Sequence, residues 1–473
     1  MLPIEHLLPI RAVNITLQFT APAKTRLFHH LAFTAWLRHL IGDVPNYERY
    51  ITLDAPESGY IFYQKDNFYC FTLFALNGGE DLLQHILNCL TQLPDNVKIR
   101  DEKMPFRNNL IFHQAQDLFT QEPIQSVAEL SPYSLETLQQ ETDIWFEHDQ
   151  CWVNWISPVR LTLPMELKDK KRLENRFCQR RSQVDFALLN DRIYDALAEL
   201  LRQRVDNVPR RITDDSKRLE MSDVFWINYS YYNGKGYEKP MGGLLGRMVF
   251  DIENMPREQL LYWVLGQYVG IGQRRSFGWG RYILESVEAG RTMPRVAAKS
   301  SLLELACRQD NLEEAFLDIS NKLDVGKLIH LREQLLNGEY QIPNLQEVKA
   351  GTNRLVEVPP FLDRVAQLAV ARVLAPILDT LVYNGNFGKK NSNLLASQLL
   401  KKIYKGNCEL EFDFDNIEWS QLYTRLMAFL GDDAVVDLVM GWMSATVDGK
   451  ERKSGLPSGS PLSPVLAGIM NLY

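Results

Sequence analysis

The spacing of hydrophobic positions changes repeatedly along the first 140 residues. Alternating hydrophobic positions predict strands, and hydrophobic positions three and four apart predict helices. Strand patterns occupy 12–20, 60–64, 68–76 and 108–119, and helical patterns occupy 24–42 and 79–93. Asp66 and Asn67 separate the second and third strand patterns and predict a hairpin, and Gly42 predicts the end of the first helix. The predicted order is strand–helix–strand–strand–helix–strand.

The same order recurs between residues 151 and 287. Strand patterns occupy 151–163, 223–232, 244–252 and 276–287, and helical patterns occupy 167–205 and 256–271. This order of elements is the ferredoxin-like arrangement. The sequence therefore predicts an α+β protein that begins with two tandem ferredoxin-like domains, over residues 1–140 and 141–290.

The pattern becomes mainly helical after residue 290. Hydrophobic positions recur at three and four residues over 300–323 and 326–340, with acidic and basic positions between them. We expect a separate mixed α/β domain over 291–473, which is still incomplete at Tyr473.

Composition and charge exclude several classes of protein. Hydrophobic residues make up 45% and charged residues 23% of the 473 residues, which is ordinary for a globular chain. A net charge of −7 excludes a polycation, so a nucleic-acid role needs local basic patches. No run of about 18 apolar residues predicts a membrane span, and the start of the chain is unlike a signal peptide. The six cysteines form no C-x-x-C pair, so we expect neither a zinc knuckle nor disulfides, but a reducing cytoplasm.

A glycine-rich segment, "GIGQRRSFGWGRY", occupies 270–282. Glycine permits backbone conformations and close approaches that a Cβ excludes, and four glycines lie here: Gly270, Gly272, Gly278 and Gly280. The same segment carries cations and aromatic rings, namely Arg274, Arg275, Phe277, Trp279 and Arg281. Backbone N–H groups, cations and stacking faces together suit an RNA backbone with unstacked bases. The alternative is a glycine-rich turn whose arginines merely face water.

This segment resembles part of a known family. Together with "MGGLLGRMVF" (241–250) and "WINYSYY" (226–232), it resembles the C-terminal half of the CRISPR-associated endoribonuclease that cleaves repeat RNA. The resemblance covers residues 1–290. It implies two ferredoxin-like domains and RNA contacts from the glycine-rich segment. It also implies cleavage without a metal, in which a histidine, in many members on the first helix, assists attack of the 2′-hydroxyl on the adjacent phosphate.

The first helical pattern offers three histidines for that role: His29, His30 and His39. On a helical wheel, one narrow stripe holds Arg26, His30, Thr34 and Arg38. A second group places His29 among core positions, with Phe33, Trp36 and Leu40. A proton-transfer histidine near cations, on a face free to meet a phosphate, suits the chemistry better than one in the core.

We therefore expect His30 to be catalytic, with His29 as the second candidate. Arg26 and Arg38 are the expected RNA contacts on the same stripe. Possible helpers in the second domain are Tyr229, Tyr231 and Lys235. The alternative is that both histidines are structural or merely exposed.

The C-terminal third resembles a second family. "GLPSGSPLSPVLAG" (455–468) resembles the loop-to-helix segment of reverse transcriptases from the group II intron and CRISPR-associated branch. Other landmarks precede it in the expected order, at 311–316, 335–340, 349–379, 387–392 and 409–422. The resemblance implies the fingers and part of the palm of an RNA-directed DNA polymerase.

The polymerase resemblance also implies site residues. Lys349 and Arg354 would hold the triphosphate of an incoming dNTP, and Pro457 and Gly459 would lie beside the nucleotide. A palm carboxylate would bind Mg²⁺. Asp413 is the expected ligand and Asp415 the fallback, whereas an ungapped alignment selects Glu409. The sequence departs from the family pattern at Ser458, where Gln is usual, and at Gly468, where Asn is usual.

The second pair of palm carboxylates, Y-x-D-D in this family, does not follow the loop. "GDDAV" (431–435) comes before it. Since a two-metal site needs carboxylates from both places, we expect a chain cut within the palm that cannot polymerise by itself. The resemblance implies fusion to, or association with, a CRISPR integrase and its small dimeric Cas partner. The implied substrates are repeat RNA, an RNA template, DNA and dNTPs.

Two hypotheses of different classes follow. In the first, the chain is an endoribonuclease fused to a reverse transcriptase that supports spacer acquisition from RNA. In the second, it is an RNA-binding scaffold whose nuclease half is inactive and only delivers RNA. A free intron maturase is disfavoured because it leaves 1–290 unexplained.

Overall fold

The computed structural model describes residues 1–42, 44, 47–55, 61–93, 106, 109–164, 176–209, 217–227, 230–232, 238–294, 301–320, 322–350, 354–382 and 416–470. The chain divides into two compact units. The first contains Met1–Ile227 and Pro240–Lys299, and the second contains Asn228–Lys239 and Ser300–Tyr473. Helices and antiparallel sheets are mixed, as the sequence predicts.

The first half of the first unit is a four-stranded antiparallel sheet with two helices. Its elements are β1 (Arg11–Phe19), β2 (Ala23–Lys24), α1 (His30–Ile41), β3 (Ile51–Asp54), β4 (Phe62–Tyr63), β5 (Phe68–Ala75), α2 (Glu80–Thr91) and β6 (Leu110–Asp117). The strand order is β3-β5-β1-β6, so the first strand lies in the middle of the sheet. β1 is buried along most of its length even though its sequence alternates, so its polar residues Asn14 and Thr16 are buried as well.

Two details differ from the sequence prediction. Asp66 adopts a left-handed turn, with φ 70°, but β4 pairs with β2 and not with β5, so the predicted hairpin is wrong. The partner of β5 is β3, whose four residues are all buried. Helix α1 begins at His30 rather than at 24, because residues 23–24 pair as a strand. Its predicted end is confirmed, since Gly42 follows the helix with φ 78°.

The second half of the first unit repeats the order of elements. Its elements are β7 (Gln150–Val159), α4 (Phe186–Leu201), β8 (Leu219–Ile227), β11 (Gly243–Asp251), α5 (Arg257–Val269) and β12 (Tyr282–Glu285). The strand order is β12-β7-β11-β8, again with the first strand in the middle. Two short strands between β8 and β11, β9 (Ser230–Tyr232) and β10 (Glu238–Pro240), pair with each other, and all their residues except Pro240 belong to the second unit.

The long helix predicted over 167–205 is shorter than expected. Helix α4 begins after Asp185, whose carboxylate caps it by accepting a 2.8 Å hydrogen bond from the Leu188 backbone nitrogen. Residues 165–175 lie outside the described residues. A further helix that the pattern analysis did not predict, α3 (Leu135–Phe146), precedes β7. One hydrophobic core contains side chains from both halves, among them Phe74, Trp155 and Tyr268.

The second unit is mainly helical in its described part. Its elements are α6 (Leu302–Ala306), α7 (Gln309–Ile319), α8 (Val325–Asn337), β13 (Gln346–Ala350), β14 (Arg354–Val358), α9 (Phe361–Val382), α10 (Trp419–Leu430), α11 (Asp433–Met443) and α12 (Ser463–Met470). β13 and β14 form an antiparallel hairpin. Arg372 of α9 pairs with Asp318 of α7 at 2.8 Å. No helix among the described residues is long and apolar enough to cross a membrane.

Candidate functional site

The two candidate histidines stand at the beginning of α1. His29 caps the helix and His30 is its first residue. His29 is 2% exposed and bridges two groups: Nδ1 lies 3.2 Å from the Arg26 carbonyl oxygen, and Nε2 lies 2.7 Å from the Tyr69 hydroxyl. Because a carbonyl only accepts, Nδ1 carries the proton, and Nε2 of the neutral ring accepts from Tyr69.

His30 lies in a different environment. It is 1% exposed, and within the described part of the chain neither of its ring nitrogens makes a hydrogen bond. Its ring lies nearly parallel to that of His29, with centroids 5.9 Å apart. An imidazole without partners in a closed site is unusual, since buried polar groups are nearly always paired.

Burial lowers the pKa of both histidines. The pKa of His29 falls to about 4 because burial disfavours the charged ring, and the Arg26 carbonyl only partly opposes this. The pKa of His30 falls to about 3 because of burial first and repulsion from His29 second. The Ala55 backbone, close to the ring but outside hydrogen-bond geometry, acts in the opposite direction. Both rings are therefore neutral near pH 7, in the form that accepts a proton.

The glycine-rich segment is a closed loop between α5 and β12. The Ile271 nitrogen donates to the Gly280 carbonyl at 2.8 Å, and the Gly280 nitrogen donates to the Pro158 carbonyl at 2.9 Å. Gly280 has φ 80°, and a Cβ there would lie 1.8 Å from the Ile271 carbonyl oxygen. Glycine is required at this position by the backbone itself.

The structure brings this segment against the beginning of α1. A Cβ on Gly278 would lie 3.4 Å from Cδ2 of His30 and 3.0 Å from the Leu53 carbonyl oxygen. The Tyr47 hydroxyl donates to the Ser276 carbonyl at 3.2 Å. The candidate histidine and the glycine-rich segment, over 200 residues apart in sequence, therefore meet at one place.

Cations lie at this junction. The Arg38 guanidinium carbon lies 5.9 Å from the centre of the Phe277 ring, and that of Arg274 lies 5.7 Å from it. Arg26, Arg38 and Arg274 are exposed, so their charges are accessible to a phosphate. Arg38 also contacts Glu48 at 3.8 Å, which partly offsets its charge.

Two expectations about which side chains are exposed are wrong. The stripe of Arg26, His30, Thr34 and Arg38 is not an exposed helix face, because Arg26 precedes the helix while His30 and Thr34 are each 1% exposed. Trp279 is fully buried and offers no stacking face.

Two of the three arginines in the segment do not face water. Arg275 turns inward, with its guanidinium 2.5 Å from Glu199 of α4 and 3.3 Å from the Ala196 carbonyl. Arg281 is 1% exposed and stacks on Phe74 at 4.5 Å, and its three guanidinium nitrogens make no hydrogen bond to any described residue.

Sequence patterns give no signal for Tyr69 as the partner of His29. Its place on a strand is predictable, but its contact depends on sheet register and on where α1 begins. The proposed helpers Tyr229 and Lys235 lie outside the described residues. Tyr231 lies in β9, and its side chain is not described.

In the second unit, the loop before α12 packs on the β13–β14 hairpin. The Gly459 nitrogen donates to the Glu357 carbonyl at 3.0 Å, and the Glu357 nitrogen donates to the Ser458 hydroxyl at 3.2 Å. The Ser460 hydroxyl donates to Oε1 of Gln367 in α9 at 2.6 Å. Pro457 is buried beneath this loop. Two of the sequence landmarks, 349–379 and 455–468, are therefore in direct contact.

The remaining polymerase candidates are only partly described. Lys349 is exposed on β13, opposite Leu355. Arg354 begins β14, and its side chain is not described. Asp413, Asp415 and Glu409 lie outside the described residues.

The described part of the chain holds no group of three His, Cys, Asp or Glu residues that could bind a metal. The "GDDAV" pair is a helix cap. Asp432 accepts a 3.2 Å hydrogen bond from the Val435 nitrogen at the start of α11.

Comparison with known proteins places the fold. No protein-family model matches the chain, and no curated protein matches it. A chain of a solved partial Cas6-RT-Cas1–Cas2 complex matches with a TM-score of 0.75 and 24% identity, covering 99% of this chain and 84% of its own. This chain has the fold of a Cas6-RT fusion. The sequence resemblance is confirmed at that level.

Two further solved structures are similar. A chain of the Cas6-RT-Cas1–Cas2 complex also gives a TM-score of 0.75 and 24% identity over 99% of this chain. The present chain spans about half, 52%, of the length of that matched chain. Thermus thermophilus Cas6 matches 59% of this chain and 98% of its own length, with 12% identity and a TM-score of 0.35.

Proposed function

We propose that the chain is a CRISPR-associated protein that joins a repeat-RNA endoribonuclease to a reverse transcriptase. In this proposal the two halves of the first unit are tandem ferredoxin-like domains that bind and cut repeat RNA. The second unit is the fingers and part of the palm of a polymerase that copies RNA during spacer acquisition. The fold shared with the Cas6-RT-Cas1–Cas2 chain supports the pairing of the two activities.

The contact between Gly278 and His30 carries the nuclease proposal. RNA held by the exposed Arg26, Arg38 and Arg274 would lie over this junction. His30, neutral at pH 7, would accept the proton of the 2′-hydroxyl as it attacks the adjacent phosphate. The bond from phosphorus to the 5′ oxygen would break, leaving a 2′,3′-cyclic phosphate, and the departing 5′ oxygen would take up a proton from water. The phosphate charge would raise the pKa of His30 in the complex and so strengthen it as a base.

His29 has a supporting role in this proposal. Burial holds it neutral, and its bond to Tyr69 fixes the beginning of α1. The nuclease half needs no metal in the proposed reaction, because proton transfer by an imidazole and charge stabilisation by arginines suffice.

One observation favours the second hypothesis, an RNA-binding scaffold with an inactive nuclease half. Both histidines are at most 2% exposed, and Gly278 covers His30. If RNA does not displace this cover, the 2′-hydroxyl cannot reach the ring. Cleavage of the cognate repeat RNA separates the two hypotheses.

The deciding experiment is cleavage of labelled repeat RNA in EDTA by wild type, His30→Ala, His29→Ala and His39→Ala. His39 lies exposed on the same helix and is the matched control. Removal of a general base costs about 10²–10⁴-fold in rate, so His30→Ala should lose cleavage and retain RNA binding. Full activity of His30→Ala together with loss in His29→Ala would assign the role to His29. Binding without any cleavage by wild type would establish the scaffold.

In the polymerase half, Lys349 and Arg354 are proposed to hold the dNTP triphosphate. Pro457 and Gly459 are proposed to shape the nucleotide site. Mg²⁺ would be held by Asp413, with Asp415 as the alternative, and would organise the triphosphate and the primer hydroxyl.

Primer extension on an RNA template tests this half, using protein from the entire natural reading frame. Product should form with Mg²⁺ and dNTPs and disappear in Asp413→Ala. Retained extension in Asp413→Ala with loss in Glu409→Ala would refute the assignment of Asp413. A CRISPR integrase and its small dimeric Cas partner are the proposed associates, in keeping with the complexes to which the chain is similar.

A further inference from the structure

A single buried glutamine joins the two ends of the glycine-rich segment. Gln267 lies in α5, three residues before Gly270, and is 0% exposed. Its Oε1 accepts a 2.8 Å hydrogen bond from the Leu284 backbone nitrogen in β12, beyond the other end of the segment. Its Nε2 donates to Oε1 of Glu141 at 3.2 Å. The side chain therefore ties the strand and helix that flank the segment to a third element, α3.

Glu141 is the centre of a wider buried network. Its Oε2 accepts from the hydroxyls of Tyr133 and, at 3.0 Å, Tyr268, while its Oε1 accepts from the Thr292 hydroxyl as well as from Gln267. The carboxylate is 7% exposed, and each oxygen has two donors. A buried carboxylate is tolerated only when its oxygens are satisfied in this way.

The network also reaches the half of the unit that carries the histidines. The Tyr268 carbonyl accepts a 2.8 Å hydrogen bond from the Thr52 hydroxyl of β3. Leu53 lies between Thr52 and Asp54 in the same strand, and its carbonyl lies beside Gly278. A separate hydrogen bond, to the residue that follows Gln267, therefore holds the strand on which the middle of the segment rests.

We propose that Glu141 and Gln267 are positioning residues: together they hold the glycine-rich segment against the beginning of α1 in the arrangement that the proposed RNA cleavage requires. The cleavage part of this proposal rests on the proposed nuclease function; the holding part does not. Apolar side chains would fill the same space, but they would not specify the relative position of α3, α5 and β12, because dispersion contacts are not directional.

The chemistry of the pair allows a reciprocal test. In Glu141→Gln, an NH₂ group replaces the carboxylate oxygen Oε1 and faces the NH₂ group of Gln267, so two donors meet. In Gln267→Glu, two carboxylates face each other in a buried site. In the double variant E141Q/Q267E the donor and acceptor exchange places: the new amide at position 141 donates to the new carboxylate at position 267, which still accepts from the Leu284 nitrogen. The 3.3 Å hydrogen bond that Nε2 of Gln267 donates to the Val264 carbonyl stays lost, so the rescue is partial. The Thr292 hydroxyl can rotate to accept.

The measurement is hydrogen exchange of the amides in 270–284 without RNA, followed by kcat and KM for repeat RNA. Each single variant should speed exchange about ten- to a hundredfold, and the double variant should exchange about three- to tenfold more slowly than either single variant without reaching wild type, because the bond to Val264 stays lost. The kcat should fall and recover with the exchange, while KM changes less, because the exposed Arg274 can still contact RNA.

Asp143→Asn is the matched control. It removes a 2.6 Å ion pair with Arg257 between the same two helices, α3 and α5, but at the surface. It should leave the exchange of 270–284 and kcat unchanged. Unchanged exchange in both single variants, or a double variant no better than either, would overturn the proposal. Rescue of exchange in a protein that never cleaves repeat RNA would overturn the nuclease function and leave the holding role established.

Discussion

Three glycine-to-alanine substitutions, two in the glycine-rich segment and one after β12, separate backbone strain from steric overlap. Gly280, Gly278 and Gly290 all have positive φ, at 80°, 81° and 61°. A Cβ on Gly290 would meet nothing within 4 Å. Gly290→Ala therefore measures the cost of the left-handed conformation alone, about 1 kcal/mol.

The other two positions add overlap to the same backbone cost. At Gly278 the new methyl would lie 3.0 Å from a carbonyl oxygen and 3.4 Å from His30, which a small shift relieves. We expect about 2 kcal/mol there. At Gly280 the methyl would lie 1.8 Å from the Ile271 carbonyl oxygen, so the backbone must separate. That movement breaks two hydrogen bonds, of 2.8 and 2.9 Å, each worth about 1–3 kcal/mol when left unmade.

The expected cost of Gly280→Ala is therefore about 3–7 kcal/mol, the largest of the three. Urea unfolding by circular dichroism gives the ranking, provided that the slope of free energy against urea is the same in all variants. Equal stability of Gly280→Ala and Gly290→Ala would refute the closed loop described above. If Gly278→Ala lost RNA cleavage while remaining more stable than Gly280→Ala, the contact with His30 would be functional as well as structural.

Two further predictions concern charge and pH. Arg274→Ala should weaken RNA binding without lowering stability, and the slope of log affinity against log salt should fall by about 0.7 per lost phosphate contact. Arg275→Ala should instead lower the urea midpoint, because it breaks the pair with Glu199. Equal effects of the two variants on both measurements would contradict this division. Burial lowers the pKa of His29 to about 4 and that of His30 to about 3, so below pH 6.5 the unfolded chain binds more protons than the folded chain. The free energy of unfolding should therefore fall as pH drops from 6.5 toward 4, by about 1.4 kcal/mol per pH unit for each histidine. His30→Gln should reduce that slope, and a slope unchanged in His30→Gln would mean that the ring is not buried.

The order of elements in the first unit could be predicted because its strands and helices carry strong periodic patterns. Strand β3 could not, because Ile51–Asp54 is too short to show a period and is buried on both faces. Because β3 was not predicted, the aromatic residues near 62 were the nearest strand pattern that could pair with β5. The wrong hairpin prediction results from this. Pairing is a non-local choice, and hydrophobic pattern alone does not make it.

The candidate site shows the same limit. The importance of 270–280 and of the first-helix histidines was visible in the sequence, and their contact is present in the structure. The side of the helix that faces water could not be predicted. The predicted helix begins at residue 24, before the true start of α1, and the second half of the unit covers the face that was expected to be open. Glu141 and Tyr69 give no sequence signal, since each acts through partners far away in the chain.

The geometry changes what the glycines imply about function. Gly280 must be glycine because of Ile271, and Gly278 is favoured as glycine by its left-handed backbone, with φ 81°, so the chain's own geometry accounts for both without any RNA. Glycine content is therefore weak evidence for an RNA-binding loop here. The stronger evidence is Arg274, which is exposed and itself has a left-handed backbone, with φ 70°. Its guanidinium lies over Phe277, whereas its neighbour Arg275 turns inward. A segment built only to turn the chain would need neither an exposed cation held at a strained position nor a buried network that anchors both of its ends.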